Sequence, residues 1–211
     1  MYTLYWRERS GAFAPAAALA ELDIPTKAIP LDRATRAHES AEFRAVNPMG
    51  QIPALVLPGG EVMTESAAIV LYLADSRPDS GLAPALDDPR RARFLRWLFF
   101  SQCNIYETDL RYTYADRYTA DPDGAAGVRD AAYARLDRLW DILADAMDDH
   151  GPFFFGADFT ALDIYLAMLG PWHFDPPALY GRRPAIERLV RAVAARPAIA
   201  PVWRAYAMGG A

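Results

Sequence analysis

The sequence predicts an α/β half followed by an all-α half: a small unit of order β-α-β then β-β-α, and after it a helical bundle. Three observations carry that expectation. Up to about residue 75, short runs rich in aromatic and β-branched residues alternate with runs of helical period. A proline-rich stretch, "SRPDSGLAPALDDP", then interrupts every period. Beyond it, apolar residues recur at steps of three and four. The boundaries that follow are an α/β unit at 1–76, a linker at 77–89 and an all-helical unit at 90–211.

Each element has its own signal. "YTLYW" reads as the first strand. Phe13, Ala16, Ala17 and Ala20 then fall at i, i+3, i+4 and i+7, one face of a helix. "KAIPL" is a second strand, and Pro30, lacking an N–H, suits an edge. A linking segment leads to "PALVL", Pro58-Gly59-Gly60 and "EVM", a hairpin with a glycine turn. Ile69, Tyr72 and Leu73 mark the next helix. In the second half, Tyr133, Leu136, Trp140, Leu143 and Met147 form one apolar stripe; Ile186, Leu189, Val190 and Val193 form another. Thr160-x-x-Asp163 ahead of an apolar run is a capping box, the Thr160 hydroxyl and the Asp163 carboxylate each satisfying backbone N–H groups.

Composition narrows the function. With 53% apolar and 12% aromatic residues, 211 residues suffice for a substantial core. A net charge of −5 argues against nucleic acid as the principal partner, and "RRARFLR" and "GRRP" read as solvated helix flanks. One cysteine, Cys103, permits no intramolecular disulfide; it reads as a small buried residue. No apolar run is long enough for a membrane span and the N-terminus lacks a signal-peptide pattern, so a cytoplasmic location is expected. His38, His150 and His173 are scattered, so no metal is expected. The phosphate-loop, nucleophile-elbow and dinucleotide-binding glycine patterns are all missing.

From Asn47 to Asp75 the chain reads "NPMGQIPALVLPGGEVMTESAAIVLYLAD". With "GADFTALDIYLA" in the second half, this segment resembles the cytosolic glutathione transferase family. The resemblance implies a thioredoxin-like N-terminal domain, a helical C-terminal domain, and glutathione as co-substrate. It implies that Ile52 and Pro53, joined by a cis bond, offer backbone to the cysteinyl part of the tripeptide by strand-like pairing. Glu65 and Ser66, at a helix start where unpaired N–H groups favour a carboxylate, grip the γ-glutamyl end, with Gln51 close by. Ser66 or Thr64 also suits a plain N-cap. Arg36 and His38 are the basic residues available for the glycyl carboxylate.

Family members stabilise the glutathione thiolate with a donated hydrogen bond, which lowers the thiol pKa. Two hydroxyls compete for that role. Ser10, in "LYWRERS", matches the register of the serine-type classes and lies in the turn before the first helix; Tyr5 matches the tyrosine-type position. Ser10 is favoured. Bacterial beta-type members are also similar in length and in the N-P-x-G-Q segment, but their cysteine would fall at Gly11. The resemblance further places a hydrophobic electrophile against Phe13, Phe100, Tyr106, Tyr112 and Trp172, in a pocket between the two halves. It sets Asn104 within reach of glutathione in a neighbouring subunit, hence a homodimer. The competing readings are a glutathione-dependent peroxidase, isomerase or reductase, and a transferase-fold protein that binds without catalysis.

Overall fold

A computed structural model describes residues 1–209. The chain divides into two compact units: Met1–Ala83 together with the described part of Ala194–Ala211, and Pro84–Val193. The sequence assigned all of 90–211 to the helical half. The last segment instead joins the first unit, because Phe13 packs edge-on against Trp203 and the guanidinium of Arg196 takes both carboxylate oxygens of Glu21, at 2.7 and 2.8 Å.

The N-terminal unit runs β1 Tyr2–Trp6, α1 Phe13–Glu21, β2 Thr26–Pro30, α2 Ala41–Val46, β3 Ala54–Val56, β4 Val62–Met63 and α3 Ser66–Asp75. Its sheet has the order β2-β1-β3-β4, with β2 parallel to β1 and the other two pairings antiparallel. Pro30 closes an edge strand, as its missing N–H requires. The hairpin turn is tied by Leu57 N–H to the Glu61 carbonyl, and Gly60 takes φ +92° there. On α1 the buried face is Ala14, Ala17 and Ala18 beside Phe13; Ala16 and Ala20 are half-buried. On α3, Ile69 and Leu73 are buried but Tyr72 stays exposed. The expected linking segment holds α2, capped by Ser40, whose Oγ accepts from Phe43 N–H. A six-residue helix is too short to leave a period in the sequence.

The helical unit contains α4 Arg91–Phe100, a π-helical turn Ser101–Tyr106, α5 Glu107–Thr113, α6 Ala125–Ala144, α7 Ala161–Leu169, α8 Pro176–Arg182 and α9 Pro184–Ala194. α10, Ile199–Ala205, belongs to the first unit. Leu136, Trp140 and Leu143 are buried along α6 and the whole α9 stripe is buried, whereas Tyr133 faces out and Met147 falls beyond the helix end. The capping box forms: Asp163 accepts from Thr160 N–H, Thr160 Oγ1 and Phe154 N–H. Most arginines of the two basic runs are bonded rather than simply solvated, whereas the exposed Arg96 only lies over the Trp97 ring. Arg93 bonds Asp148, and Arg182 and Arg183 bond Asp137, Asp141 and Asp145 on and just past α6. That pairing leaves little concentrated positive charge.

Candidate functional site

Strand register alone gathers the N-terminal candidates at one end of the sheet. β1 and β3 are antiparallel, with Tyr5 opposite Ala54. Continued two steps, that register brings Trp6 level with Pro53 and Arg7 level with Ile52. β4 runs back beside β3, with Met63 opposite Leu55, so the same continuation brings Glu65 level with Pro53. β2 ends on the same side, where Leu31 N–H donates to the Trp6 carbonyl, and residues 32–40 follow from there. Four segments therefore leave the sheet at the carboxyl end of its parallel pair, the usual location for ligands in sheets of this kind.

The loop before β3 is built by its own motif. The Ile52–Pro53 bond is cis, and pairing begins only at Ala54, so Ile52 stands outside the ladder. Asn47 is buried and ties the loop from inside: its amide donates to the Gln51 carbonyl at 2.7 Å, and its Oδ1 accepts from Met49 N–H. Gly50 sits at φ +61°, and a Cβ there would lie 3.0 Å from the His38 carbonyl oxygen. Gly50 thus lets residues 37–39 approach the loop. Gln51 is exposed at the rim.

Glu65 and Ser66 open α3. Glu65 is the N-cap, its carbonyl accepting from Ile69 N–H, but its side chain makes no cap bond. It holds φ 63° and ψ 100°, a conformation costing roughly 1–3 kcal/mol in a non-glycine residue. Such outliers concentrate where backbone placement matters more than stability. Ser66 is buried in the first helical turn, beside the N–H groups that an α-helix leaves unpaired at its start. Neither Ser66 nor Thr64 is the N-cap.

Ser10 and Tyr5 are differently placed. Ser10 is buried two residues ahead of the α1 N-cap, Ala12. Its hydroxyl donates to the Arg7 carbonyl at 2.7 Å and accepts from Ala12 N–H at 3.4 Å. Arg9 in this turn is left-handed, φ 48°, and its N–H donates to the Tyr206 carbonyl, while the Tyr206 ring lies 4.4 Å from that of Trp6. Tyr5 alternates with the buried Leu4, so it points to the other side of the sheet, where its ring lies 5.3 Å from that of Phe43 on α2. Arg36 bonds Glu39 at 2.6 Å and holds that carboxyl below the ordinary carboxylate range; His38 Nε2 is 3.5 Å from the same carboxylate.

The expected electrophile wall divides. Phe13 is fully buried in the N-terminal core against Trp203 and Tyr206, which leaves no face for a ligand, so it is a core residue. Phe100, Tyr106, Tyr112 and Trp172 are half-buried in the helical unit, where the Tyr106 ring lies tilted 5.6 Å from that of Trp172 and Phe100 packs edge-on against Trp97. Asn104 lies in the π-helical turn and accepts from Arg135 at 3.1 Å. Cys103 beside it is exposed, contrary to expectation, because the turn rotates it off the buried side held by Ser101 and Ile105. Among the described residues no helix is long and apolar enough to cross a membrane, and no group of three or more His, Cys, Asp or Glu side chains is placed to hold a metal ion.

Sequence reasoning missed Asn47 as an organiser and Tyr206 altogether. The Asn-Pro pair is a turn signal that points to the first. Nothing local points to the second, since its partners Trp6 and Arg9 stand at the opposite end of the chain.

Comparison with known proteins agrees with this geometry. Residues 13–76 match the glutathione S-transferase N-terminal domain family. Glutathione S-transferase 3 of Zea mays is 31% identical over 196 residues, covering 91% of this chain and 82% of that protein. Glutathione S-transferase GstA of Escherichia coli O157:H7 is 31% identical over 139 residues, 66% of this chain; the match spans 65% of that relative's length. A sphingomonad glutathione S-transferase, solved in complex with glutathione, superposes with a TM-score of 0.80 at 28% identity, covering 98% of this chain and all of that one. By sequence over most of its length and by its fold, the chain belongs to the glutathione S-transferase family.

Proposed function

We propose that this protein is a glutathione transferase that activates the glutathione thiol for attack on a hydrophobic electrophile. One observation carries the reading: the sheet register delivers Ile52, Glu65, Ser66 and the Ser10 turn to the same end of the N-terminal unit. Each fits a part of the tripeptide. Ser66 and the first N–H groups of α3 receive the γ-glutamyl carboxylate. Glu65, exposed, faces its ammonium, and Gln51 adds a polar contact. Ile52, outside the ladder, offers its N–H and C=O to the cysteinyl backbone. Glutathione, when bound, supplies the thiol that becomes the nucleophile.

Ser10 is the favoured activator and Tyr5 the alternative. For Ser10 to donate to sulfur, its hydroxyl turns away from the Arg7 carbonyl, exchanging a neutral bond for a stronger charge-assisted one. The existing Ser10–Arg7 bond also favours a second reading, binding without thiol activation. Arg36 and His38 remain candidates for the glycyl carboxylate; the Arg36–Glu39 pair is exposed and easily exchanged. In a homodimer, Asn104 would exchange Arg135 for the neighbouring subunit's ligand; sedimentation equilibrium tests that association.

The deciding experiment combines calorimetric titration with glutathione and ultraviolet thiolate absorbance of the bound thiol. Ser66→Ala is expected to weaken binding about tenfold or more, the loss of one charge-assisted hydrogen bond. Ser10→Ala is expected to raise the bound thiol pKa while leaving affinity nearly unchanged. No binding at millimolar glutathione removes the transferase and every glutathione-dependent alternative. Binding with an unshifted thiol pKa in the wild type leaves the non-catalytic reading. A pKa moved by Tyr5→Phe and not by Ser10→Ala transfers the role to Tyr5.

A further inference from the structure

Tyr206 holds the Ser10 turn at three points. Ahead of the turn, its ring lies tilted 4.4 Å from that of Trp6. Inside it, the Tyr206 carbonyl accepts from Arg9 N–H at 3.0 Å. Beyond it, the same ring lies 6.0 Å from that of Phe13, nearly edge-on. Tyr206 is only 5% exposed and is the C-cap of α10, where a helix leaves its last carbonyls without helical partners. Arg9 satisfies one of them, and does so at φ 48°, a conformation that non-glycine residues seldom adopt. All three contacts use the ring or the carbonyl of Tyr206, not its hydroxyl.

The internal ties of the turn centre on Ser10. Its hydroxyl donates to the Arg7 carbonyl, its Oγ accepts from Ala12 N–H, and its own carbonyl accepts from Phe13 N–H. Donation to sulfur gives up the first of these, so the turn loses an internal bond at the moment Ser10 must stay in place. A hydrogen bond weakens steeply with misalignment, and a productive site tolerates only about 0.5 Å of drift. Tyr206 supplies fixing contacts from outside the turn, and these do not change when the Ser10 hydroxyl rotates. We infer that Tyr206 is a positioning residue for thiol activation, acting through Ser10 by fixing the turn that carries it. This role presupposes the transferase reading with Ser10 as activator.

Ultraviolet titration of the thiol of glutathione bound to the full-length protein tests it, with calorimetry of glutathione binding alongside. Tyr206→Leu removes the ring and is expected to raise the bound thiol pKa by roughly half or more of the rise that Ser10→Ala produces. Glutathione affinity should stay within about twofold of the wild type. Tyr206→Phe keeps the ring and should keep the wild-type thiol pKa. The double variant Ser10→Ala with Tyr206→Leu should show no rise beyond that of Ser10→Ala alone, because two residues acting through one hydrogen bond are not additive. Should the leucine variant fail to fold, Tyr206→Met fills the space without a ring and is expected to give the same pattern. A thiol pKa that the ringless variants leave unmoved, an equal rise in Tyr206→Phe, or additive effects in the double variant would overturn the inference and leave Ser10 its role. Weakened glutathione binding with an unmoved thiol pKa overturns it as well, since a merely structural residue behaves that way. A thiol pKa that Ser10→Ala does not move, or a wild type that binds no glutathione, sinks the underlying reading and this role with it.

Discussion

The two units solve the placement of polar groups in opposite ways. Among the described residues, every non-glycine residue with positive φ lies in the N-terminal unit: Arg9, Asp23, Arg36, Glu65 and Ala207. Three of these, Arg9, Arg36 and Glu65, border the candidate glutathione site. Among its described residues the helical unit confines positive φ to glycines and relies on side chains instead. It has the Arg–Asp pairs along α6, a buried capping box and an aromatic cluster in which Tyr133 stacks on Phe174 at 3.9 Å. A ligand read through its main chain needs fixed backbone; one read through its shape needs side chains that differ from protein to protein.

That contrast is broken most sharply by pH. Asp109 keeps its proton to about pH 7 when folded, whereas the unfolded chain loses it near 4. Between those values the folded state holds the extra proton, so its stability is full below about 4 and falls as pH rises to 7. The loss is on the order of 4 kcal/mol. Asp109→Asn should flatten most of this slope in urea titrations at a series of pH values. Asp163, raised to about 6 by burial, acts in the same sense and remains in the variant. An unchanged slope would show Asp109 ionised and solvated.

Asp163→Ala comes next, at about 3 kcal/mol, because it leaves the Phe154 and Thr160 N–H groups buried and unpaired. Chemical denaturation followed by circular dichroism measures it. Arg196→Ala should cost about 2 kcal/mol, since Glu21 is nearly buried and loses a two-pronged partner. It should also loosen the Ser10 turn, seen as faster amide exchange at Arg9. At the small end, Arg191→Ala removes an exposed i,i+4 pair with Glu187 and should cost no more than about 0.5 kcal/mol. A larger loss there would mean that charge on α9 matters more than its apolar stripe.

The parts of the molecule legible in the sequence are those written in contiguous residues. Pro30 at an edge, the Gly60 turn, the Thr160–Asp163 box and the α9 stripe each state their role within a few positions. The segment from Asn47 to Ser66 was legible because one motif supplies both the loop and the helix start. Where the reading failed, the determinant was a distant partner or a local backbone turn that no side-chain pattern marks. Phe13 looked available for a ligand until Trp203 and Tyr206 covered it, and Cys103 looked buried until a π-helical turn shifted its face. The Ser10–Arg7 hydrogen bond was equally invisible, since a carbonyl accepts in any sequence.

The contacts of Tyr206 with Trp6, Arg9 and Phe13 have a consequence for how the protein is made. Between the two parts of the N-terminal unit lie about 110 residues, Pro84–Val193. At roughly 5–20 residues per second, a ribosome needs between about 6 and 20 seconds to traverse them. Throughout that interval the nascent sheet has emerged without the segment that pins Arg9 and covers Phe13. The Ser10 turn is therefore finished by a segment synthesised only after the whole helical unit, and a nascent chain stalled before Arg196 carries the Asn47–Ser66 motif without that closing contact.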